Sequence, residues 1–401
     1  MSASTTDPGR RAFVAGSALG MGALLVSGTR DAAAAVQGAA LPASATGRPA
    51  PVLETPAPEP DARRLGWAVA GLGEFALNHM LPAIGSSRFA KLTALISGNP
   101  AKARDVASRH GVPPGALYDY AMQGLRDDTS VDIVYVITPN STHPDLVIRA
   151  FEAGKHVLCE KPMANSSADC RRMIDAGKAA GRKLMIAYRA HWEPHNLELK
   201  RRIDAGELGT VHFASADHHR PLDPSNPADQ WRVRKAIAGG GSLVDIGIYS
   251  LNGLIWLLGE TPTSAVASMS APADDPRFAE IENVFTAQLD FASGRRATIS
   301  SGYTADRKRI DIWGDKAVGL LDPATSYKGN RLTIGDSGEQ RQVNPQQDDV
   351  RQFIGEVDHF SQVVRDGGEP ATPGEMGLRD VRIIEALYAA ARTGKRVAID
   401  A

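Results

Sequence analysis

The feature that most constrains the fold is a pair of glycines directly after a short apolar segment. Residues 67–70 are predicted to form a buried strand, and Gly71, Gly73 and Ala76 follow it before a helix predicted over 77–84. Gly71 permits a tight turn, Gly73 leaves the backbone open to a pyrophosphate, and Ala76 lets helix and strand pack closely. The free N–H groups at the start of the helix attract phosphate. A plain turn could carry the same glycines, but the strand before them and another candidate strand about 20 residues later favour nucleotide binding.

The composition limits what kind of protein this chain can be. With 401 residues, two domains and a large core are expected. A formal net charge of −1 gives no electrostatic basis for binding nucleic acid or an acidic membrane. The two cysteines, Cys159 and Cys170, do not make a disulfide framework, and we expect both to be buried, unpaired thiols. No stretch is expected to be long and apolar enough for a mature transmembrane helix, and no metal site is expected.

The N-terminus is expected to precede the folded body. Arg10 and Arg11, a mild apolar run and small residues at 32–35 predict a twin-arginine export signal over residues 1–35. An ordinary secretory signal with two arginines is the alternative. The twin-arginine export machinery carries folded proteins, so we expect a periplasmic protein. Residues 36–64 are rich in alanine and proline, and they predict either a disordered linker or an extended arm on the body or on a neighbouring subunit.

Alternating strands and helices over residues 65–187 predict a right-handed, doubly wound nucleotide-binding domain. Its second strand, over 91–96, ends at Ser97, where an NAD-selective site would place an acidic residue on the ribose. Ser97 together with Lys102 suits a 2′-phosphate, so NADP is expected rather than NAD; a purely solvated Lys102 is the alternative. Further strands are predicted over 133–137, 156–159 and 183–187, and helices over 101–109, 145–153 and 169–180.

Polar residues follow two of these strands at the carboxyl edge of the sheet, where ligands bind in open α/β sheets. One strand leads into Thr138-Pro139-Asn140, and the next leads into Glu160-Lys161-Pro162. A Glu–Lys pair at a strand end, with a proline fixing the turn, is poorly suited to a core. A position facing a cleft explains it better than a surface ion pair does.

From residue 188 onward the chain changes to short alternating segments with turn residues between them. These predict an α+β domain over 188–401 with a large, mostly antiparallel sheet. An open face of that sheet is a candidate surface for a homo-oligomer, a dimer or larger. Two amphipathic helices at 350–364 and 378–392 are expected to serve packing only. Strands are predicted over 211–217, 264–270, 283–291, 296–302, 310–314, 318–322 and 331–334, and a helix is expected to end at 207–209.

One stretch inside this second domain has a different character. Three glycines at 239–241 precede an apolar helix, and Trp231 and Arg232 lie just upstream. Asp245 and Tyr249 are four residues apart, so they share one face of that helix. A buried Asp–Tyr pair needs polar partners, and the glycines give a ligand close approach. We therefore favour a ligand pocket over a simple core hydrogen bond.

These motifs together resemble the Gfo/Idh/MocA oxidoreductases, and within that family the glucose–fructose oxidoreductase branch. The resemblance extends from the export signal and the arm to the C-terminal helix. Its most specific piece is residues 238–249, Ala-Gly-Gly-Gly-Ser-Leu-Val-Asp-Ile-Gly-Ile-Tyr, where many members of the family have His in place of Tyr249. The other pieces are Ala70-Gly71-Leu72-Gly73, residues 95–99, Thr138-Pro139-Asn140, Glu160-Lys161-Pro162, Tyr188-Arg189 and residues 229–232.

The resemblance implies an N-terminal Rossmann domain, a C-terminal α+β domain with an open sheet, and NADP that is bound tightly and does not dissociate. It implies catalysis by Lys161 and Tyr249 on small-molecule sugars, with Asp245 orienting the sugar. The implied cofactor-binding residues are Gly71, Leu72, Gly73, Glu74 and Phe75 at the pyrophosphate; Ser97, Gly98 and Lys102 at the 2′-phosphate; and Thr138, Pro139, Asn140, His143, Glu160, Lys161, Arg189, Trp231 and Arg232 at the ribose and nicotinamide, with Tyr327 a weaker match.

The implied reaction is oxidation of an aldose at C1 to an aldonolactone. Hydride passes to the nicotinamide while Tyr249 takes the hydroxyl proton. This requires the pKa of Tyr249 to fall from about 10 toward neutrality, and Lys161 and the nicotinamide charge are expected to lower it. Because the periplasm is expected to hold little free NADP, a second sugar (fructose or another aldose) is expected to reoxidise the bound cofactor and leave as a polyol, with ping-pong kinetics. The alternatives are an NAD-dependent glycosidase of the same family, a sugar dehydrogenase with exchangeable cofactor, and a non-catalytic sensor.

Overall fold

The structure is a computed structural model that describes residues 57–336, 338–345 and 351–401. The expected export signal, and the arm as far as residue 56, lie outside the described residues. The end of the arm contacts the folded body, because the Glu59 N–H donates to the Arg88 carbonyl oxygen at 3.1 Å. A single 3₁₀ turn, Asp61–Arg63, then leads into the first strand.

A six-stranded parallel sheet forms the N-terminal part of the body, which confirms the predicted doubly wound fold. The central strand pairs with the second strand on one side and the fourth on the other, so the strand order reverses there and the ligand crevice lies at its carboxyl end. The third strand has only two residues, too few to give an alternating pattern. The strands are β1 (Leu65–Ala70), β2 (Ala90–Ile96), β3 (Leu117–Tyr118), β4 (Ile133–Val136), β5 (His156–Glu160) and β6 (Leu184–Ala187), in the order β3-β2-β1-β4-β5-β6.

The helix after the glycine turn departs from the regular α-helix that was predicted. Ala76–Met80 forms a π-helical turn, and a short α-helix continues from it. Pro82 lacks the N–H that a regular ladder would need, and the widened turn lies directly before it. The helices of this part are α1 (Leu81–Ser86), α2 (Pro100–His110), α3 (His143–Glu152) and α4 (Ser167–Ala180).

A nine-stranded sheet forms the second part, and every neighbouring pair of strands except one is antiparallel, as predicted. The exception is the parallel pair β7–β10, at the centre of the sheet. Two short strands, β14 and β15, were not predicted. The strands are β7 (Val211–His219), β8 (Pro262–Ser270), β9 (Val284–Phe291), β10 (Arg296–Gly302), β11 (Arg307–Gly314), β12 (Val318–Leu321), β13 (Leu332–Gly335), β14 (Gln340–Val343) and β15 (Val397–Ala398), in the order β14-β13-β12-β11-β7-β10-β9-β8-β15.

The remaining helices pack on the sheets and connect them. The helix expected to end at 207–209 ends at Asp204, because Gly206 takes a positive φ of 71° just beyond it. The last helix contacts both the fourth helix and the eighth strand, so it ties the two parts of the body together. These helices are α5 (Pro194–Asp204), α6 (Lys235–Ala238), α7 (Ile248–Leu258), α8 (Arg351–Asp366) and α9 (Gly374–Thr393).

One helical stretch, Lys235–Leu258, is long and apolar enough to pass a test for a membrane span, contrary to expectation. Its mean hydropathy is 1.4, but 89% of the apolar window is buried inside the protein. A core helix passes the same test, and α7 packs against β7 and β10. The two cysteines are buried and unpaired, as predicted.

The second sheet also carries exposed aromatic surface. Trp313 on β11 is 49% exposed, and its ring lies 5.0 Å from that of Phe213 on the neighbouring strand β7. An exposed aromatic pair on a sheet is compatible with a subunit contact. Assembly through the open face stays a prediction.

Candidate active site

The glycine turn leaves open the space that a pyrophosphate requires. Gly71 has a φ of 99°, and a Cβ there would run into the carbonyl group of Ile137, so only glycine fits the turn. Gly73 is exposed, and a Cβ placed on it would meet nothing within 4 Å. Of the other predicted residues of this loop, Leu72 is buried in the core, while Glu74 is exposed and Phe75 is half-buried. The turn therefore fits a dinucleotide.

The end of β2 has the arrangement expected for a second anion. The Ser97 hydroxyl is buried and accepts the Asn99 N–H at 3.1 Å, and the Asn99 side chain caps α2 by accepting the Lys102 N–H at 3.0 Å. Gly98 allows Tyr120 to pack closely behind it. The Lys102 side chain is exposed beside the start of the helix, where a negative group is favoured. These residues fit a 2′-phosphate, and the preference for NADP over NAD stays a prediction.

The segment after β4 is held in place from both sides. The Asn140 side chain is buried and donates to the Ala238 carbonyl oxygen at 2.8 Å, which links the two parts of the body. His143 is buried, with Nε2 at 2.8 Å from the Thr138 carbonyl oxygen and Nδ1 at 3.1 Å from that of Pro162. Burial lowers the pKa of His143, against the effect of the carbonyl oxygens of Thr138, Pro162 and Met163. The ring connects the two strand ends and thereby shapes the edge of the cleft that also includes Pro139.

Glu160 is the last residue of β5, Lys161 follows it, and the two side chains contact different partners. The Tyr135 hydroxyl donates to Glu160 Oε1 at 2.7 Å, and the Lys161 N–H donates to Glu160 Oε2 at 3.1 Å. Lys161 Nζ donates to the backbone oxygen of Asp245 at 2.7 Å and lies 4.0 Å from its carboxylate. Burial raises the pKa of Glu160, against the effect of Lys161. Burial lowers the pKa of Lys161, against the effects of Asp245 and Glu160.

Asp245 is a fixed, ionised carboxylate. Its Oδ2 accepts hydrogen bonds from Arg232 Nε at 3.1 Å, from Arg220 Nη2 at 3.2 Å and from the Tyr303 hydroxyl at 3.1 Å. Burial alone would raise its pKa, but Arg232, Lys161 and Arg220 outweigh burial and hold the pKa of Asp245 far below its usual range. Both arginines also pair with Asp229. Arg232, which was assigned to the cofactor, is therefore held on Asp245, and its guanidinium lies 4.4 Å from the ring of Trp231.

Tyr249 lies among cations, yet its pKa moves in the direction opposite to our expectation. Lys161 Nζ lies 4.7 Å and the Arg189 guanidinium 4.8 Å from the centre of its ring. Burial raises the pKa of Tyr249, and Glu160 and Asp245 add to that effect, while Arg189 opposes it. The protein's own cations therefore do not produce the expected fall toward neutrality. Tyr249 is a protonated phenol near pH 7, which can donate a hydrogen bond.

Arg189 and Tyr327 close the site on the side of the glycine turn. Buried Arg189 donates through Nη1 to the Gln352 side chain and through Nη2 to the Thr325 carbonyl oxygen at 2.7 Å. Its guanidinium lies 4.5 Å from the ring of Tyr327, which in turn lies 6.0 Å from the ring of Phe75. Tyr327 is 40% exposed and therefore stands at the mouth of the site.

Four residues of the site were not predicted. Arg220 and Tyr303 directly follow the parallel strands β7 and β10, so the carboxyl-edge argument used for the first sheet could have found them. His218, the penultimate residue of β7, stacks on Tyr249. Gln352 belongs to α8, which was expected to serve packing only, and an amphipathic pattern gives no signal for such a contact.

Comparisons with known proteins identify the family of the chain. The family model "Oxidoreductase family, NAD-binding Rossmann fold" matches residues 65–188, and "Oxidoreductase family, C-terminal alpha/beta domain" matches residues 200–399. The chain is 30% identical to D-xylose 1-dehydrogenase [NADP(+)] of Haloarcula marismortui, over 83% of this chain and 93% of that protein. It is 28% identical to D-xylose 1-dehydrogenase (NADP(+)) 2 of Haloferax volcanii, over 83% of this chain and 99% of that one.

A solved structure adds a similar match over the whole described body. The crystal structure of aldose-aldose oxidoreductase from Caulobacter crescentus in complex with glycerol has 43% sequence identity and a TM-score of 0.81, and the match covers 84% of this chain and 100% of that chain. The two family models together span well over half of the chain, and both belong to one family. The chain is a member of the Gfo/Idh/MocA oxidoreductase family, with an NAD(P)-binding Rossmann domain.

Proposed function

We propose that this protein is an exported sugar oxidoreductase that keeps NADP bound. It oxidises an aldose such as glucose at C1 to the aldonolactone, and it reduces a second sugar, fructose or another aldose, to a polyol in the same pocket. The observation that carries the proposal is the convergence of Lys161, Asp245 and Tyr249 beside the open glycine turn. The similarity to the aldose-aldose oxidoreductase and to the xylose dehydrogenases supports sugars as the substrate class.

The nicotinamide, when bound, would accept and donate hydride. Side chains of the protein accept and donate the proton. Lys161 Nζ takes the proton from the C1 hydroxyl, and burial, which lowers the pKa of Lys161, favours the neutral amine that this step needs. The Tyr249 phenol donates a hydrogen bond to the same oxygen. In the reductive direction Lys161 returns the proton to the carbonyl oxygen of the second sugar. The Asp245 carboxylate holds Lys161 in place and sets its proton affinity.

Retention of the cofactor has support in the contacts around the glycine turn. The rings of Phe75 and Tyr327 and the guanidinium of Arg189 form a continuous contact from that turn to the second part of the body. If a dinucleotide binds at the glycine turn, these side chains would help to hold it. The paired arginines Arg10 and Arg11 support export by the twin-arginine machinery to the periplasm, where a retained cofactor must be reoxidised in place.

The test is an absorbance measurement on protein purified without added cofactor. Glucose is added first, then fructose or a second aldose, while the reduced nicotinamide band is followed at roughly 340 nm. We expect a rise with the first sugar and a fall with the second, and the sugar that causes the fall identifies the acceptor. Tyr249→Phe is the control, expected to keep its bound cofactor but to react about 10²–10⁴-fold more slowly. A response only when NADP is supplied at each turnover would contradict recycling in place.

A further inference from the structure

A buried histidine packs directly on the tyrosine of the proposed site. His218 lies on β7 and is only 4% exposed. Its ring is 4.8 Å from that of Tyr249, and the two planes differ by 20°. Such a stacked pair fixes the two rings relative to one another. Nothing in the proton transfer by Lys161 and Tyr249 uses this imidazole.

One ring nitrogen of His218 is held, and the other is not. Nδ1 is 2.8 Å from the Thr325 hydroxyl, in the loop that also carries Tyr327 at the mouth. Among the residues that the structure describes, no side chain or backbone group bonds to Nε2. In histidine, Nε2 lies on the part of the ring farthest from the backbone. Because the ring stacks on that of Tyr249, Nε2 lies beside the Tyr249 side chain.

The charges around His218 keep it neutral. Burial lowers its pKa well below the ordinary value, and Arg189, Lys308 and Lys161 lower it further, against Asp245. A neutral imidazole with one nitrogen engaged can donate or accept a single hydrogen bond at the other. Lys161, Arg189, Arg220 and Arg232 are all charged or paired with carboxylates. Of the side chains around Tyr249, His218 therefore suits an uncharged hydroxyl best.

We propose that His218 is a specificity-determining residue, whose Nε2 forms a hydrogen bond with the sugar hydroxyl on the carbon next to the one that reacts. The inference rests on the proposed function. Tyr249 contacts the oxygen of the reacting carbon, and His218 is stacked beside Tyr249, so the oxygen on the adjacent carbon is the one within its reach. For an aldose that reacts at C1, this is the 2-hydroxyl. A ketose that reacts at C2 would present a hydroxyl on C1 or C3 in its place.

The test compares glucose with 2-deoxyglucose in the oxidative half-reaction of the cofactor-containing enzyme. We expect the wild-type enzyme to prefer glucose in kcat/KM by about 10–100-fold, because a site built for a hydroxyl is left unpaired by the deoxy sugar. His218→Phe keeps a ring on Tyr249 but removes Nε2. It should reduce kcat/KM for glucose by about 10–100-fold, mainly through KM, and change that for 2-deoxyglucose by less than about 3-fold.

The matched control is His219→Phe, on the same strand. The side chain of His219 points to the opposite face of the sheet and bonds to Ser300 at 2.7 Å. This variant should keep the preference for glucose, and all variants should keep their bound cofactor. If the phenylalanine variant does not fold, His218→Gln, which retains a polar group, is compared with His218→Leu. The glutamine variant should keep more of the preference for glucose than the leucine variant.

The outcomes separate the two proposals. Equal losses with both sugars in His218→Phe, or a wild type that uses both sugars equally well, would overturn the role of His218 and leave the proposed function intact. An unchanged preference for glucose in His218→Phe would also overturn the role of His218 and leave the proposed function intact. A wild type that contains cofactor but reacts with no aldose would refute the proposed function, and the inference would fall with it.

Discussion

Replacing Asp245 with asparagine tests whether this carboxylate sets the proton affinity of Lys161. The two side chains are 4.0 Å apart, and at that distance two unit charges attract by about 4 kcal/mol for an effective dielectric constant of about 20. Asp245 raises the pKa of Lys161, and burial lowers it. Without the negative charge of Asp245, only Glu160 and Tyr327 oppose burial and Arg232, so Lys161 loses its proton at a lower pH. Oxidation needs the neutral amine and reduction needs the ammonium.

The sign of the expected change follows from those two requirements. In Asp245→Asn, the acid limb of the pH–rate profile for oxidation should move to lower pH. The alkaline limb of the pH–rate profile for reduction should move in the same direction. The assay is stopped-flow absorbance of the reduced nicotinamide band from pH 5 to pH 9, with cofactor content measured for each preparation. Loss of a buried partner should also reduce the free energy of unfolding by about 3–5 kcal/mol.

Asp229→Asn is the matched control, because Asp229 pairs with the same two arginines, Arg220 and Arg232. The groups that raise the pKa of Lys161 are Asp245, Glu160 and Tyr327. This variant should lose stability without a shift of either limb. Equal shifts in both variants, or wild-type limbs in Asp245→Asn, would refute the argument that Asp245 controls the proton on Lys161.

Two further predictions concern cofactor binding and acid stability. Gly73→Ala should leave the free energy of unfolding of the cofactor-free protein within about 0.5 kcal/mol of wild type. The same variant should weaken cofactor binding at least about 10-fold. Gly71→Ala should destabilise the protein by about 2 kcal/mol or more, because Gly71 has a φ of 99°. Equilibrium dialysis and urea unfolding check both, and equal behaviour of the two variants would contradict the assignment. Burial lowers the pKa of His191 from 6.5 to about 4. The contribution of His191 to stability is therefore complete above pH 6.5 and is lost as the pH falls toward 4. The loss in the free energy of unfolding is up to roughly 3 kcal/mol. Urea unfolding at pH 7, 5.5 and 4.5 should show a smaller loss in His191→Gln, and an unchanged loss would mean that other groups dominate.

The parts of the molecule that the sequence predicted best are those in which a local pattern decides the structure. The buried strands β1 and β4 are continuous apolar runs, and Gly71 stands where the backbone takes a positive φ. The alternating strands of the second sheet gave the antiparallel arrangement. The π-helical turn at Ala76–Met80 was missed because the helical pattern does not distinguish a widened turn.

The site was predicted less completely because its charges depend on long-range pairing. Tyr249 and Lys161 are 88 positions apart in sequence, so no local pattern shows how strongly burial acts on the tyrosine beside that cation. Proximity to cations alone predicted a lowered pKa, but burial reverses the sign for Tyr249. Gln352, on a helix far along the chain, binds Arg189 only in the folded protein.

The unequal use of the two Asp245 oxygens leads to a final prediction about substrate binding. Oδ2 accepts three hydrogen bonds, from Arg232, Arg220 and Tyr303, whereas Oδ1 is the oxygen that lies 4.0 Å from Lys161 Nζ. A sugar hydroxyl that donates to Oδ1 would weaken the attraction of Asp245 for Lys161, so the bound sugar itself would lower the pKa of Lys161 and let the neutral amine form at lower pH. In oxidation, kcat/KM reports the free enzyme and the rate at saturating sugar reports the complex. The acid limb at saturating sugar should therefore lie at lower pH than the limb of kcat/KM, and coincident limbs, or the reverse order, would show that the sugar does not engage Oδ1.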